Sequence, residues 1–176
     1  MPLQLISGDI TKMSVDVIVN AANQRLRAGG GVCGAIFNAA GRNQMQEACD
    51  AIGFCDTGQA VITPAFNLHA KAVIHTVGPI YSNGKNPDEE LLSSCYLKSL
   101  ELALANGYKS IAFPLISAGI YGYPKEEAIQ IAVKSILSFL RSHELTVYLV
   151  LFNPRDLEPA QRWMEHYDQL TSSGIE

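Results

Sequence analysis

Runs of apolar and β-branched residues recur along the chain at Leu3–Ile6, Val15–Val19, Gln59–Thr63, Ala72–Thr76, Ile111–Pro114 and Val147–Phe152. Several contain almost no polar position. A strand that is apolar on both sides of its pleat has to be covered on both faces, as in a parallel sheet between helix layers. The intervening segments carry helical periodicity. The clearest starts with Pro124 in its first turn, places Glu126 and Glu127 near the positive end, and lines up Ile129, Ala132, Val133, Ile136, Leu137 and Leu140 on one face. Another is expected to follow Asp88 as N-cap, to run through Leu92, Tyr96, Leu100 and Ala103, and to stop at Asn106-Gly107. A third covers Ala35–Ala51 with a break at Gly41, and the last follows Asp156, with Pro159 in its first turn and Trp163 and Tyr167 on one face. Pro64–Leu68 and Tyr81–Pro87 read as surface loops.

Alternating strands and helices give an α/β fold with a mainly parallel sheet, whose ligands are held by loops at the carboxyl ends of the strands. The 176 residues, 48% hydrophobic and 17% charged, fit one domain with a substantial core. It is expected to span residues 1–170, followed by a flexible tail at 171–176. No internal repeat is visible.

A net charge of -4 argues against a general nucleic-acid or anionic-membrane surface, because both need clustered Lys and Arg. The start, Met1-Pro2-Leu3-Gln4, lacks a signal peptide's basic and apolar regions, and no apolar run nears the ~20 residues of a membrane span. A monomeric cytoplasmic protein is expected. Cys33, Cys49, Cys55 and Cys95 form no Cys-x-x-Cys pair and read as free thiols. His69, His75, His143 and His166 have no metal-ligand spacing. Neither a metal nor a cofactor is expected.

The chemistry concentrates in two glycine-rich turns, Gly29-Gly30-Gly31-Val32-Cys33-Gly34 and Ser117-Ala118-Gly119-Ile120-Tyr121-Gly122, each ahead of a helical segment. Such a turn presents free amides and the positive end of a helix dipole, and two of them can clasp a diphosphate. Neither contains the Lys-Ser/Thr pair that a triphosphate loop needs. Gly29, Gly31 and Gly34 match a dinucleotide G-x-G-x-x-G spacing, but Asn20–Ala28 separate them from their strand and no acidic strand end follows about twenty residues on. A hydride-transfer enzyme is therefore disfavoured. Asp9 is either an acceptor for an adenine amino group or a turn cap. Asn20 and Asn23 either bind ribose hydroxyls or serve a turn, and Phe152 either stacks on a base or fills the core. Tyr121, in a glycine-flanked loop, is either a lid over a ligand or part of the core, and the glycines make the core role harder to explain.

Taken together, Gly8-Asp9-Ile10-Thr11, Val17-Ile18-Val19-Asn20-Ala21-Ala22-Asn23, Gly29-Gly30-Gly31-Val32, Ala39-Ala40-Gly41 and Ser117-Ala118-Gly119-Ile120-Tyr121-Gly122-Tyr123-Pro124 resemble the macro domain family over nearly the whole chain. The resemblance implies a three-layer α/β/α sandwich around a mixed, mainly parallel sheet that binds ADP-ribose. It puts Asp9 on the adenine amino group, Ile10 on the base through its backbone and Phe152 in a stack on it. Asn23 lies near the distal ribose and is the one candidate for a catalytic role, with Asn20 beside it. Gly30, Gly31, Val32, Cys33, Ser117, Ala118, Gly119, Ile120 and Tyr121 surround the diphosphate and distal ribose.

The hydrolytic branch of that family has an aspartate after the glycine-glycine-valine and a histidine four residues on; here these positions are Cys33 and Phe37. Neither is suited to activating a water. The bound diphosphate can itself hold a water against the anomeric carbon, so a slow hydrolase of mono-ADP-ribosylated protein or O-acetyl-ADP-ribose is expected. The alternative is a module that binds ADP-ribose, free or on a modified protein, without turnover.

Overall fold

The computed structural model of the protein describes residues 2–172. Strands β1 (Leu3–Ser7), β2 (Val17–Ala21), β3 (Ala60–Pro64), β4 (Ala72–Thr76), β5 (Ser110–Phe113) and β6 (Thr146–Leu151) form one six-stranded sheet in the order β1-β6-β5-β2-β4-β3. Every pairing is parallel except that of β3 with β4 at one edge. The apolar strands are buried on both sides. In β2, Val17 and Val19 join one core cluster and Ile18 the other; in β5, Ile111 and Phe113 oppose Ala112 in the same way. Each such Val or Ile contributes roughly 1.5–3 kcal/mol through burial, which fixes the register of the central strands.

Helices α1 (Gly31–Ala40) and α2 (Arg42–Ile52) cover one face of the sheet, and α3 (Asp88–Ala105), α4 (Lys125–Leu140) and α5 (Leu157–Ser172) the other. The result is the expected three-layer α/β/α sandwich. Gly41 separates α1 from α2, as the sequence indicates. Several boundaries move, each for a local reason. The first helix starts at Gly31 and not Ala35, because Gly31 adopts a φ of +57° that carries the chain into the helix without a side-chain penalty. Pro124 is the N-cap of α4 and not part of its first turn. Asp88 is the first residue of α3 and not its cap; its carboxylate turns back to accept hydrogen bonds from Ser82 N at 2.8 Å and Ser82 Oγ at 2.7 Å. Thr171 belongs to α5, with its hydroxyl donating to the Tyr167 carbonyl at 3.1 Å, while the tail residues 173–176 lie outside the described residues.

The topology creates the place for a ligand. After β2 the chain passes to α1 and α2 on one face, and after the neighbouring β5 it passes to α4 on the other. The loops leaving the carboxyl ends of these two adjacent strands therefore diverge and leave a crevice between them.

Candidate functional site

All the sequence-selected loops lie at the carboxyl ends of the parallel strands. β1 and β6 are neighbours, so Gly8-Asp9 and Phe152 leave the sheet side by side, and Gly8 N donates to the Leu151 carbonyl at 3.1 Å. Asp9 caps the 3-10 turn Ile10–Lys12. Its carboxylate accepts from Thr11 Oγ1 at 2.7 Å and Thr11 N at 2.9 Å, and these bonds hold its carboxyl below the ordinary value. The capping role is thus real, yet the side chain is exposed and an ionised carboxylate retains free lone pairs for a ligand donor. Ile10 is buried beneath this turn. Phe152 is 87% exposed, so its reading as core is excluded and its ring is open to a planar partner.

The two glycine turns follow neighbouring parallel strands, β2 and β5, and so lie at the same end of the sheet. Gly30 caps α1 without any side-chain hydrogen bond, which leaves the first-turn amides near Val32 for an incoming anion. The amides of Gly29 and Gly30 donate to nothing among the described residues, and neither do those of Ala118, Gly119, Ile120 and Tyr121. Concave sets of unpaired amides bind anions. The helix-dipole part of the expectation holds only for α1. Tyr123 and Pro124 intervene between the second turn and α4, and Glu126 and Glu127 in the first turn of α4 repel an anion there. The second loop is shaped instead by Ser117, at a φ of +66°, whose carbonyl accepts from Tyr123 N at 2.9 Å. The buried Tyr96 hydroxyl accepts from Ile116 N at 3.1 Å and anchors the base of the loop. Ile120 is 90% exposed at its tip.

A cleft of about 740 Å³ opens beside these loops, with Asn23 and Tyr121 among its walls. Asn23 clamps its own turn: its Oδ1 accepts from Arg27 N at 3.0 Å and its Nδ2 donates to the Arg27 carbonyl at 2.8 Å. One amide proton and one lone pair remain for a sugar hydroxyl or a water. Tyr121 is strapped to the facing loop, its carbonyl accepting from Tyr81 N at 2.8 Å. The cleft continues to Arg25, Thr57, Asp88 and Leu91, which sequence reasoning missed. The only available signal was the polar character of the loops around Gln24 and Tyr81–Pro87, which is ordinary for surface loops.

Asn20 does not reach the cleft. It lies in β2 with no exposed surface and sits opposite His75 of β4 in register. Its Nδ2 lies 3.0 Å from His75 Nδ1 and donates to Cys33 Sγ at 3.6 Å, while Oδ1 has no partner. Its reading as a ribose contact is corrected: strand period 2 turns it toward the α1 and α2 layer with Ile18. Cys33 and Phe37 share that layer, Cys33 at 6% exposure and Phe37 sealed in a T-shaped contact with His75, ring centroids 6.2 Å apart. His75 Nε2 is 2.9 Å from Thr63 Oγ1, and burial pushes the imidazole down to about 4, so it is neutral at physiological pH. Cys49, Cys55 and Cys95 are buried free thiols, pushed up to about 11 by desolvation, and are chemically quiet. Among the described residues no group of His, Cys, Asp or Glu is arranged to hold a metal.

The chain that carries these loops and this cleft matches a known family. A model described as Macro domain matches residues 19–132. The chain belongs to the macro domain family. An O-acetyl-ADP-ribose deacetylase of Escherichia fergusonii is 52% identical over 157 residues, 86% of this chain and 88% of that protein. A solved Oceanobacillus iheyensis macrodomain with ADP superposes with a TM-score of 0.90 at 41% identity, covering 95% of this chain and 92% of that one. A Trypanosoma brucei macrodomain in complex with ADP-ribose gives a TM-score of 0.84 at 36% identity, covering 91% of this chain and 68% of that one. This macro domain therefore has the fold that the sequence resemblance implies. Among its described residues no helix is long and apolar enough to cross a membrane.

Proposed function

We propose that this macro domain binds ADP-ribose and hydrolyses ADP-ribosyl esters, with O-acetyl-ADP-ribose as substrate and mono-ADP-ribosylated protein as a second one. One observation carries the reading: two sets of unpaired backbone amides, at 29–30 and 118–121, lie in the loops that leave the carboxyl ends of the adjacent strands β2 and β5, at the switch of strand order. They suit a diphosphate and require no cation. The named relative, an O-acetyl-ADP-ribose deacetylase, and the macrodomain complexes with ADP and ADP-ribose support it.

In this reading the adenine lies between the carboxyl ends of β1 and β6, where Asp9 accepts from its amino group and Phe152 stacks on its face. Gly30, Gly31 and Val32 wrap the diphosphate from one side, and Ser117, Ala118, Gly119 and Ile120 from the other. The distal ribose reaches Asn23 and Tyr121. With Cys33 and Phe37 turned into the core, no acid or imidazole at those positions faces the substrate. Rate then comes from holding the ester and a water in line, through Asn23 and the substrate's own diphosphate. Titration calorimetry with ADP-ribose and AMP, followed by incubation with O-acetyl-ADP-ribose and glutamate-linked ADP-ribosyl protein, tests this. Tight ADP-ribose binding with slow release of acetate fits the proposal. Tight binding with no turnover of either substrate assigns the reader role that the buried Cys33 and Phe37 favour.

A further inference from the structure

We propose that the cleft beyond Asn23 and Tyr121 is a subsite for the polypeptide carrying the ADP-ribosyl group, and that Arg25 makes it select acidic segments. The proposal rests on ADP-ribose occupying the loops described above. Of the residues assigned to the nucleotide, only Asn23 and Tyr121 line this cleft; Asp9, Ile10, Gly30, Gly31 and Phe152 do not. The bound nucleotide therefore touches only its mouth, at the ribose end from which an acyl or protein substituent projects.

Size separates the two substrate classes. An acetyl group displaces little more than two water volumes of about 30 Å³ each, whereas the cleft measures about 740 Å³. A peptide of several residues fills it. Charge then selects the peptide. Arg25 and Arg27 are the cationic residues of the lining, both are exposed, and neither guanidinium is paired with a carboxylate among the described residues. The acidic residue of the lining, Asp88, has one carboxylate oxygen engaged by Ser82 N and Oγ. The lining residues thus carry two cations against one carboxylate, with Asp56 beside them held by Gln24 Nε2 at 3.4 Å and Thr57 N at 2.8 Å, and the exposed Arg25 and Arg27 are the groups that complement an acidic segment and repel a basic one. Ile80, 67% exposed on the same wall, offers apolar contact to whatever side chain follows.

The test uses calorimetry on the intact protein with free ADP-ribose and with two conjugates. Each conjugate joins ADP-ribose through a non-hydrolysable linkage to the central residue of a peptide, flanked in one by aspartates and in the other by lysines. The acidic conjugate is expected to bind about two- to fivefold tighter than free ADP-ribose for each ion pair made, and the gain to fade with added salt. Arg25→Glu should remove the roughly two- to fivefold gain of its own ion pair while leaving free ADP-ribose affinity unchanged, and Arg25→Lys should keep it. Equal binding of the two conjugates, or a preference that Arg25→Glu leaves undiminished, overturns the subsite and leaves the ADP-ribose reading intact. Failure of free ADP-ribose to bind overturns both.

Discussion

Ser117 donates its Oγ proton to the Pro79 carbonyl at 2.8 Å, tying the loop after β5 to the loop after β4. Gly78 lies directly beneath this bond. A Cβ built on Gly78 would stand 2.1 Å from Ser117 Oγ and 2.6 Å from Ile116 Cγ2, so the two loops approach as closely as they do only because residue 78 has no side chain.

Gly78→Ala should accordingly cost about 1–3 kcal/mol of stability and weaken ADP-ribose binding, because the displaced Ser117 carries the amides of residues 118–121 with it. Ser117→Ala alone should cost about 1–3 kcal/mol for the buried carbonyl left without its donor. The double variant should be less unstable than the sum, since removing Oγ relieves the tighter of the two clashes. Chemical denaturation of all four proteins measures the coupling, and strict additivity would show that the contact carries no strain.

Asp9→Ala should weaken ADP-ribose binding by about 1–3 kcal/mol if a charge-assisted bond to the base is lost, alongside a helix-cap loss of about 1 kcal/mol in stability. Calorimetry and thermal melting separate the two effects. A lowered Tm with unchanged affinity would reduce Asp9 to the cap of the turn at Ile10.

Affinity for ADP-ribose should persist in excess chelator, because backbone amides and the α1 N-terminus perform the neutralising role that a divalent cation would otherwise have. Titrations with and without EDTA decide it, and loss of binding on chelation is the contrary result.

Turnover, where present, should respond to Asn23 and Tyr121 far more than to Cys33. Asn23→Ala should lower it by up to about 100-fold through loss of alignment, whereas Cys33→Ala should retain it. Introducing an imidazole by Phe37→His is expected to destabilise the fold and not to rescue rate, because position 37 is sealed against His75 and has no route to the cleft. Fast wild-type turnover that Cys33→Ala abolishes, with ADP-ribose still bound, would give the thiol a direct chemical role.

Acid should unfold the protein through His75. Its folded value near 4 lies below its ordinary 6.5, so between these values the unfolded chain binds the extra proton. Stability is then full above about pH 6.5 and falls as the pH drops toward 4, by roughly 3 kcal/mol at the limit. Asp9 and Asp16, both held below their ordinary 3.8, add losses in the same direction at still lower pH. Urea midpoints across pH 4–7 should fall with acid in the wild type and flatten in His75→Gln. An unchanged slope would remove His75 from the account.

The apolar runs and the glycine punctuation were enough to read the layers and the edge of the sheet that carries the loops, because both depend on local periodicity. Gly41 and Asn106-Gly107 end helices where their conformational preferences say they should. What periodicity does not contain is orientation across the third dimension. Asn20 and Asn23 look alike in sequence, yet three residues of strand and turn send one toward His75 and the other to the cleft. Phe152 resembles its apolar neighbours until β6 ends at Leu151 and leaves it outside. Asp88 has the residue type of a cap, while its partner Ser82 lies in a loop whose path no local signal reveals. Arg25 and Thr57 come together only through the fold, from segments thirty-two residues apart.

Because β1, β2, β4, β5 and β6 all run the same way, the turns at 106–109 and 141–145 emerge from the pole opposite the loops that hold the ligand. A dye, tether or surface linkage introduced at Lys109 or Glu144 would present every immobilised molecule with its crevice outward. The parallel sheet thereby supplies a ready orientation for a surface-bound sensor whose crevice is turned to the solution.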